Sequence, residues 1–314
     1  MSLKPTSTFC FALLLLAGVA ASAAAQTATV RFPRASQKAS VMQTIGVTDV
    51  TITYHRPAVK GRRIWGDPLP AQADVKGEAT LDNQNLRPKE AAIVPWGHVW
   101  RAGANDATVF EVTDDVLING EKLPAGKYSL HTIPTKDEWT IIFNSDPGQW
   151  GSFTYSAAKD TLRVKTKPQA ADNQEWLAFT FDPITENSAT VNLRWEKLRV
   201  PFTVEVKDVV SAWRKRADEL IAANPTNESL PLQVAGTYFQ RKSNDEALKF
   251  IDQSIKLKET WGNLNLKARI LWAMGKKDEA IAQGDAAVAK GKELKANTAA
   301  FEKTLAEWKT PKTQ

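Results

Sequence analysis

Between residues 40 and 206, apolar and polar positions alternate in short runs broken by turn residues. Val50, Ile52 and Tyr54 alternate with Thr51 and Thr53, the period-two pattern of a strand buried on one face. Asn119-Gly120 separates the run of Val116 and Ile118 from Leu123, and predicts a tight hairpin because both central residues of that turn need positive φ. Tyr128, Leu130 and Thr132 mark the next strand, then Trp139, Ile141 and Phe143, then Leu162, Val164 and Thr166. Leu177, Phe179 and Phe181 lead to a stop at Asp182-Pro183; Val191, Leu193 and Trp195 follow, and then Val200, Phe202, Val204 and Val206. Many short strands without helical pattern between them predict an all-β antiparallel sandwich, or a barrel-like closure, over residues 26–206. Residues 68–89 interrupt the pattern with polar residues, Gly and Pro, and read as an exposed insertion.

At Lys207 the period changes. Val209, Val210, Trp213, Ala217, Leu220 and Ile221 fall on one helical face, which ends at Asn224-Pro225 because the residue before proline is pushed out of the helical region. Asp245-Glu-Ala-Leu248 recurs as Asp278-Glu-Ala-Ile281, an offset of 33 residues, and Ala235 and Ala268 each precede an alanine by 12. Small residues at those places let paired antiparallel helices approach closely. Residues 207–314 therefore resemble tetratricopeptide repeats, whose period is about 34 residues, with a last helix over 298–308 as a cap. Pro231, early in the first unit, makes that unit the weaker match. Tyr238, Leu264, Leu271, Trp272 and Ile281 sit at core spacings, and Asn265 and Lys267 are candidates for an exposed partner-binding groove.

The chain has 314 residues, enough for two domains. Its first 25 carry one charge, Lys4, then an apolar run and Ala23-Ala-Ala25, the form of a secretory signal peptide. The protein is thus expected to be exported, periplasmic or secreted. Removing that segment takes away Cys10, the single cysteine, so disulfide and thiolate chemistry are excluded from the expected mature chain. It also lowers the net charge from +6 to +5 by the loss of Lys4. That mild excess has no basic run dense enough for nucleic-acid binding, and no later run is apolar and long enough to span a bilayer.

Five stretches carry a family resemblance: Asp49-Val-Thr-Ile-Thr-Tyr-His-Arg-Pro57, Lys60-Gly-Arg-Arg-Ile-Trp-Gly66, Val99-Trp-Arg-Ala-Gly-Ala-Asn-Asp-Ala-Thr108, Leu123-Pro-Ala-Gly-Lys-Tyr-Ser-Leu130 and Glu138-Trp-Thr-Ile-Ile-Phe-Asn144. Over about residues 38–206 the chain resembles the exported bacterial domain-of-unknown-function family 2911. The resemblance implies export and the extent of the β domain; it implies no activity. The 68–89 insertion departs from the family pattern.

Candidate chemistry gathers in the same stretches. Trp65, Trp96, Trp100, Trp139 and Trp150 fall in one half of the β domain, with Arg56, Arg62, Arg63 and Arg101 among them. Indole faces and guanidinium forks suit sugar rings, carboxylates and phosphates. Arg56, Arg62, Trp65, Trp100, Arg101, Asn105 and His131 are the expected ligand-binding set, converging at a solvent-reachable rim. Against this stands the reading in which the indoles fill the core and the arginines pair with Asp106, Glu111 or Asp67. His55, His98 and His131 are the only histidines, and as a trio would make a zinc site with a water, although no HExxH spacing supports it. Asp106, Asp114 and Asp115 offer carboxylates for acid–base work, but Asp114-Asp115 reads more simply as a turn. No nucleophile elbow or phosphate-cradling glycine loop occurs.

The sequence thus favours a binding module of the cell envelope, with no cofactor, that uses the Trp/Arg loops for an envelope ligand or protein. A metal-assisted hydrolase at the three histidines and an assembly protein acting through its helical repeats are the alternatives.

Overall fold

The computed structural model describes residues 32–67 and 91–310; the 1–25 leader and the whole 68–89 insertion lie outside them. Residues 36–314 form one compact unit. Among the described residues, twelve strands precede six helices, as the change of period at Lys207 predicts.

A six-stranded antiparallel sheet has the order β1 (Gln37–Ile45), β2 (Thr48–Arg56), β5 (Thr108–Val112), β8 (Gly126–Ile133), β9 (Trp139–Asn144), β10 (Asp160–Thr166). A four-stranded sheet has the order β11 (Gln169–Ile184), β12 (Ser188–Glu205), β6 (Val116–Ile118), β7 (Glu121–Leu123). The short β3 (Trp65–Gly66) and β4 (Val94–Pro95) pair in parallel. The alternating apolar sets of both sheets share one core, from Val50, Ile52 and Tyr54 on one side to Val191, Leu193 and Trp195 on the other. This is the sandwich arrangement, in which two inner faces interdigitate. Asn119 (φ 49°) and Gly120 (φ 90°) both take the left-handed conformation that the β6–β7 turn requires.

Two predicted boundaries shift. β11 continues through Asp182-Pro183 to Ile184; it is an edge strand, where the missing N–H of proline breaks no ladder bond. The two runs read as separate strands, 191–195 and 200–206, are one strand, β12. Inward positions are odd before residue 196 and even after 199 because Glu196 sits at φ 52°, and pairing with β11 slips there. One residue in the left-handed region is how a bulge changes which side chains face inward.

The helices are α1 (Val209–Ala223), α2 (Ser229–Gln240), α3 (Asn244–Leu257), α4 (Trp261–Ala273), α5 (Lys277–Glu293) and α6 (Ala299–Lys309). The 33-residue offset maps the start of α3 at Asn244 onto that of α5 at Lys277. Ala235, Ala247, Ala268 and Ala280 are all sealed from solvent, where neighbouring helices need the smallest side chains. Pro231 lies in the first turn of α2, where its missing N–H has no intrahelical partner to lose. Trp308 of α6 stacks on Trp272 at 4.5 Å and closes the stack. Asn265 and Lys267 are half-buried rather than exposed: Asn265 accepts from Arg269, and Lys267 pairs with Asp252 at 2.7 Å. On α1, Val210 and Leu220 face solvent, so its apolar face is narrower than the sequence pattern suggests.

Helix α1 joins the helices to the sandwich. Asp208 caps it, accepting from Ser211 N at 2.9 Å. Val209 and Ala212 pack on the β core. The Arg216 guanidinium donates to Asp114 Oδ2 at 2.6 Å, and that carboxylate also accepts from Thr48 at 2.8 Å. Asp115 Oδ1 accepts from Ala125 N. Both aspartates therefore hold local structure together, as a turn before β6 requires. At Gly46 (φ 62°) a Cβ would collide with the Val209 side chain. Gly46→Ala should then cost about 2–4 kcal/mol, combining left-handed strain with overpacking. Urea unfolding of the variant reads it as a fall in midpoint.

Candidate functional site

The tryptophan-rich stretches turn inward. Trp65 meets Trp100, Trp139 and Trp195 edge-on, at centroid distances of 5.7, 5.2 and 5.6 Å. Trp100 stacks on Trp195 at 5.9 Å, and Trp96 lies parallel to Trp65 at 6.1 Å. Trp100 is only 4% exposed, and Trp139 and Trp195 are fully buried. The indoles interlock, so Trp100 is a core residue, and Trp65, half-buried, packs against the same core. Trp150 is half exposed.

Arg56 and Arg62 are each held by backbone carbonyls. Arg56 reaches across the sandwich and donates to Leu177 O at 2.8 Å, tying β2 to β11. Arg62 folds back onto its own loop, donating to Ala58 O and Val59 O. Arg101 is half-buried at the start of a different loop. Of the carboxylates considered as their partners, Asp67 pairs with Lys136 and Glu111 with Lys127, while Asp106 Oδ2 lies 3.6 Å from His55 Nε2.

The second family stretch has a specific geometry. Trp100 pairs with Thr132 of β8 through two 2.8 Å backbone bonds. Pairing with β8 resumes at Thr108, opposite Leu130. Residues 101–107 are therefore an excursion inserted between two ladder positions. Thr108 closes it, donating through N to Arg101 O at 3.2 Å and through Oγ1 to Ala102 O at 2.9 Å; Trp100 Nε1 donates to Gly103 O at 3.1 Å. Ala102 (φ 50°) and Asn105 (φ 58°) make the two reversals. A Cβ at Gly103 would press on Thr108 Oγ1 at 2.9 Å and on His55 O at 3.2 Å. Asn105 Nδ2 donates to Ser36 O at 2.9 Å, which makes Asn105 a loop brace.

The excursion lies over the outward face of the six-stranded sheet. There the ladders align one row across all six strands: Ser40, Thr53, Val109, Ser129, Asn144 and Asp160. The central part of this row is covered, by residues 145–156. Asn144 Nδ2 donates to Asp160 Oδ1 at 2.7 Å and Ser156 O at 3.0 Å, while its Oδ1 accepts from Asp146 N at 3.1 Å and Gln149 Nε2 at 3.2 Å. Tyr155 OH donates to Asp160 Oδ2 at 2.8 Å, and its ring lies 5.0 Å from that of buried His131. Lys159 pairs with Asp146 at 2.8 Å. This hydrogen bond is the main reason the Asp146 carboxyl lies below its ordinary value of 3.8, with the nearby charges of Lys159 and His131 acting in the same direction.

Where the cover ends, a hollow of about 190 Å³ opens among Lys38, Thr53, His55, Asp106, Val109 and Gln149. His55 Nε2 lies 3.6 Å from Asp106 Oδ2. Gln149 is 4% exposed; its Nε2 donates to Asn144 Oδ1 and to Asp146 O at 3.1 Å, which fixes the amide orientation, and its Oε1 is buried without a partner. The three histidines do not meet. His98 sits at the turn after Trp96 and its Nδ1 lies 3.0 Å from Trp96 O, while His131 lies beneath the cover. Among the described residues no three His, Cys, Asp or Glu side chains stand at metal-binding spacing, which removes the three-histidine zinc site.

A family profile described as "Protein of unknown function (DUF2911)" matches residues 36–204, more than half of the chain. The chain belongs to the DUF2911 family. No curated protein and no solved structure matches it. The match spans both sheets and stops just before α1, so the DUF2911 stretches named above correspond to the tryptophan interlock, the excursion and the covered row. Lys38, Gln149, Asn144 and Ser129 escaped sequence reasoning. The signal that could have found Gln149 is its place just after Asn144-Ser-Asp-Pro-Gly148, a turn able to fold back over a strand.

Two outcomes test this geometry. Trp100→Ala should destabilise by about 3–5 kcal/mol, as for other large aromatic truncations in cores, whereas Arg62→Ala should cost under about 1 kcal/mol; chemical denaturation separates them. Lys159→Met removes the group that holds the Asp146 carboxyl down. A depressed carboxyl pKa stabilises the fold above its unfolded value, and that contribution is lost as pH falls through the folded value. The variant should therefore melt below the wild type at neutral pH, and the gap should close as pH drops below 3.8.

Proposed function

We propose that the β sandwich is a binding module whose site is the hollow between Lys38, His55, Asp106 and Gln149, and that its occupant is one side chain of a peptide or protein partner. The observation that carries this is the buried Gln149 Oε1, an acceptor with no donor at the wall of the hollow. Such a group favours an occupant that brings an N–H. Asp106 supplies a second acceptor, and Lys38 and Thr53 supply donors at the rim. A volume of about 190 Å³ is below the roughly 300–1,000 Å³ of small-molecule pockets. It suits a single side chain presented by a larger partner. An amide or amine side chain matches both acceptors.

The leader-like composition of residues 1–25 supports export, which would place this partner in the cell envelope. The stacked helical pairs support a second protein contact, as repeat arrays commonly provide. A hydrolytic reading draws on the His55–Asp106 pair, since a carboxylate beside an imidazole orients a general base. It needs a nucleophile or a held water as well, and the binding reading needs neither.

The test is an NMR titration of the chain lacking residues 1–25 with pentapeptides that differ at one central residue. Gln, Asn or Lys at that place should shift the Gln149 side-chain amide and His55 ring signals, and Leu should not. Asp106→Asn and Gln149→Leu should each weaken the Lys peptide at least about tenfold. Equal shifts with the Leu peptide, or none with any peptide, would defeat the proposal. Ester or amide hydrolysis abolished by His55→Ala would instead establish the catalytic reading.

A further inference from the structure

A second cleft lies on the outward face of the other sheet, and it is larger. The β11–β12 hairpin bends sharply, with pairing slips between Ala170 and Gln174, between Gln174 and Ala178, and between Phe181 and Ile184. The bends bring residues 170–172 over the other half of the ribbon. The result is a cleft of about 580 Å³ whose polar lining is Asp172, Thr180, Asp182, Asn192, Arg194 and Arg199. Its volume falls within the usual range for small-molecule sites, roughly 300–1,000 Å³.

Two side chains at its floor have unmet hydrogen-bonding capacity of opposite kinds. Asn192 is 2% exposed on the outward face of β12. Its Nδ2 donates to Asp182 O at 2.7 Å and to Thr190 O at 3.3 Å, which orients the amide, and its Oδ1 is buried without a partner. Arg194 lies two residues on, so it projects from the same face. Its Nη2 donates weakly to Asp172 O at 3.4 Å, and its Nε is buried without an acceptor. Arg199 is turned to Gln169, Nε donating at 3.0 Å and a second guanidinium nitrogen reaching the same oxygen.

We propose that this cleft is a saccharide site. A ligand that completes the floor must donate to Asn192 Oδ1 and accept from Arg194 Nε–H. A hydroxyl group does both, and adjacent hydroxyls of a sugar ring also match Thr180 and the two carboxylates. A phosphate or carboxylate ligand answers Arg194 only: it brings no hydrogen for Asn192 Oδ1 and it meets Asp172 and Asp182. Two guanidiniums against two carboxylates leave the lining balanced, which favours a neutral, hydroxyl-rich ligand over an ion of either sign. The proposal is independent of the hollow on the six-stranded sheet, because no residue lines both.

Calorimetric titration of the chain lacking residues 1–25 tests it, with cellotriose, maltotriose, a galacturonate trimer and inorganic phosphate as probes. At least one neutral trisaccharide should bind. Arg194→Met should weaken it by about tenfold, equivalent to ~1.4 kcal/mol, while the thermal midpoint stays within a degree or two of the wild type. Asn192→Asp keeps the side chain's size and its acceptor and removes the amide bonds to Asp182 and Thr190. It should retain saccharide binding better than Asn192→Leu wherever both variants fold. Heat from neither neutral sugar, unchanged affinity in Arg194→Met, or tighter binding of phosphate or the galacturonate trimer would each overturn the saccharide assignment.

Discussion

The interlock of Trp65, Trp100, Trp139 and Trp195 is the constraint on which the rest of the sandwich depends. These four indoles come from β3, from the segment just before the excursion, from β9 and from β12, so one cluster fixes three strands and a loop at once. Large aromatic groups bury much area and prefer the edge-on and offset contacts seen here. The cluster also fixes where residues 101–107 leave the ladder, because Trp100 is both a core side chain and the last residue paired with Thr132. The position of Asp106 beside His55 follows from an anchor on the opposite face of the same sheet.

The two faces of the six-stranded sheet therefore have different chemistry from one alternating pattern. Inward positions such as Phe110, Tyr128 and Phe143 make the apolar core. Outward positions such as Ser129 and Asn144 are equally shielded, but by a hydrogen-bonded cover and not by a second sheet. A buried polar layer of this kind is stable only when its members satisfy one another. Asn144 uses both donors and its acceptor, whereas Gln149 keeps one acceptor over. That difference separates a structural residue from a candidate binding one on the same loop.

Much of this architecture was legible in the sequence. Period-two runs located the strands, Asn119-Gly120 located a hairpin, and the 33-residue offset located the helical pairs, because each signal is local. The parity change at Glu196 was not legible, since nothing in Leu193-Arg-Trp-Glu-Lys-Leu198 marks the one residue that turns left-handed. Nor was the fate of the tryptophans. An indole beside an arginine looks the same whether it lines a rim or enters a core, and only the sheet pairing decides. The polar row was not legible either, because only the folding of residues 145–156 over the sheet buries Ser129 and Asn144.

Backbone amide exchange followed residue by residue measures the central claim most directly. If the tryptophan interlock fixes the 96–108 segment, the amides of Trp100, Thr108 and Thr132, bonded within and around the excursion, should exchange only through global unfolding and share the protection of β8 and β9. Exchange at Trp100 and Thr108 at the rate of an open surface loop, while β8 and β9 stay protected, would contradict it.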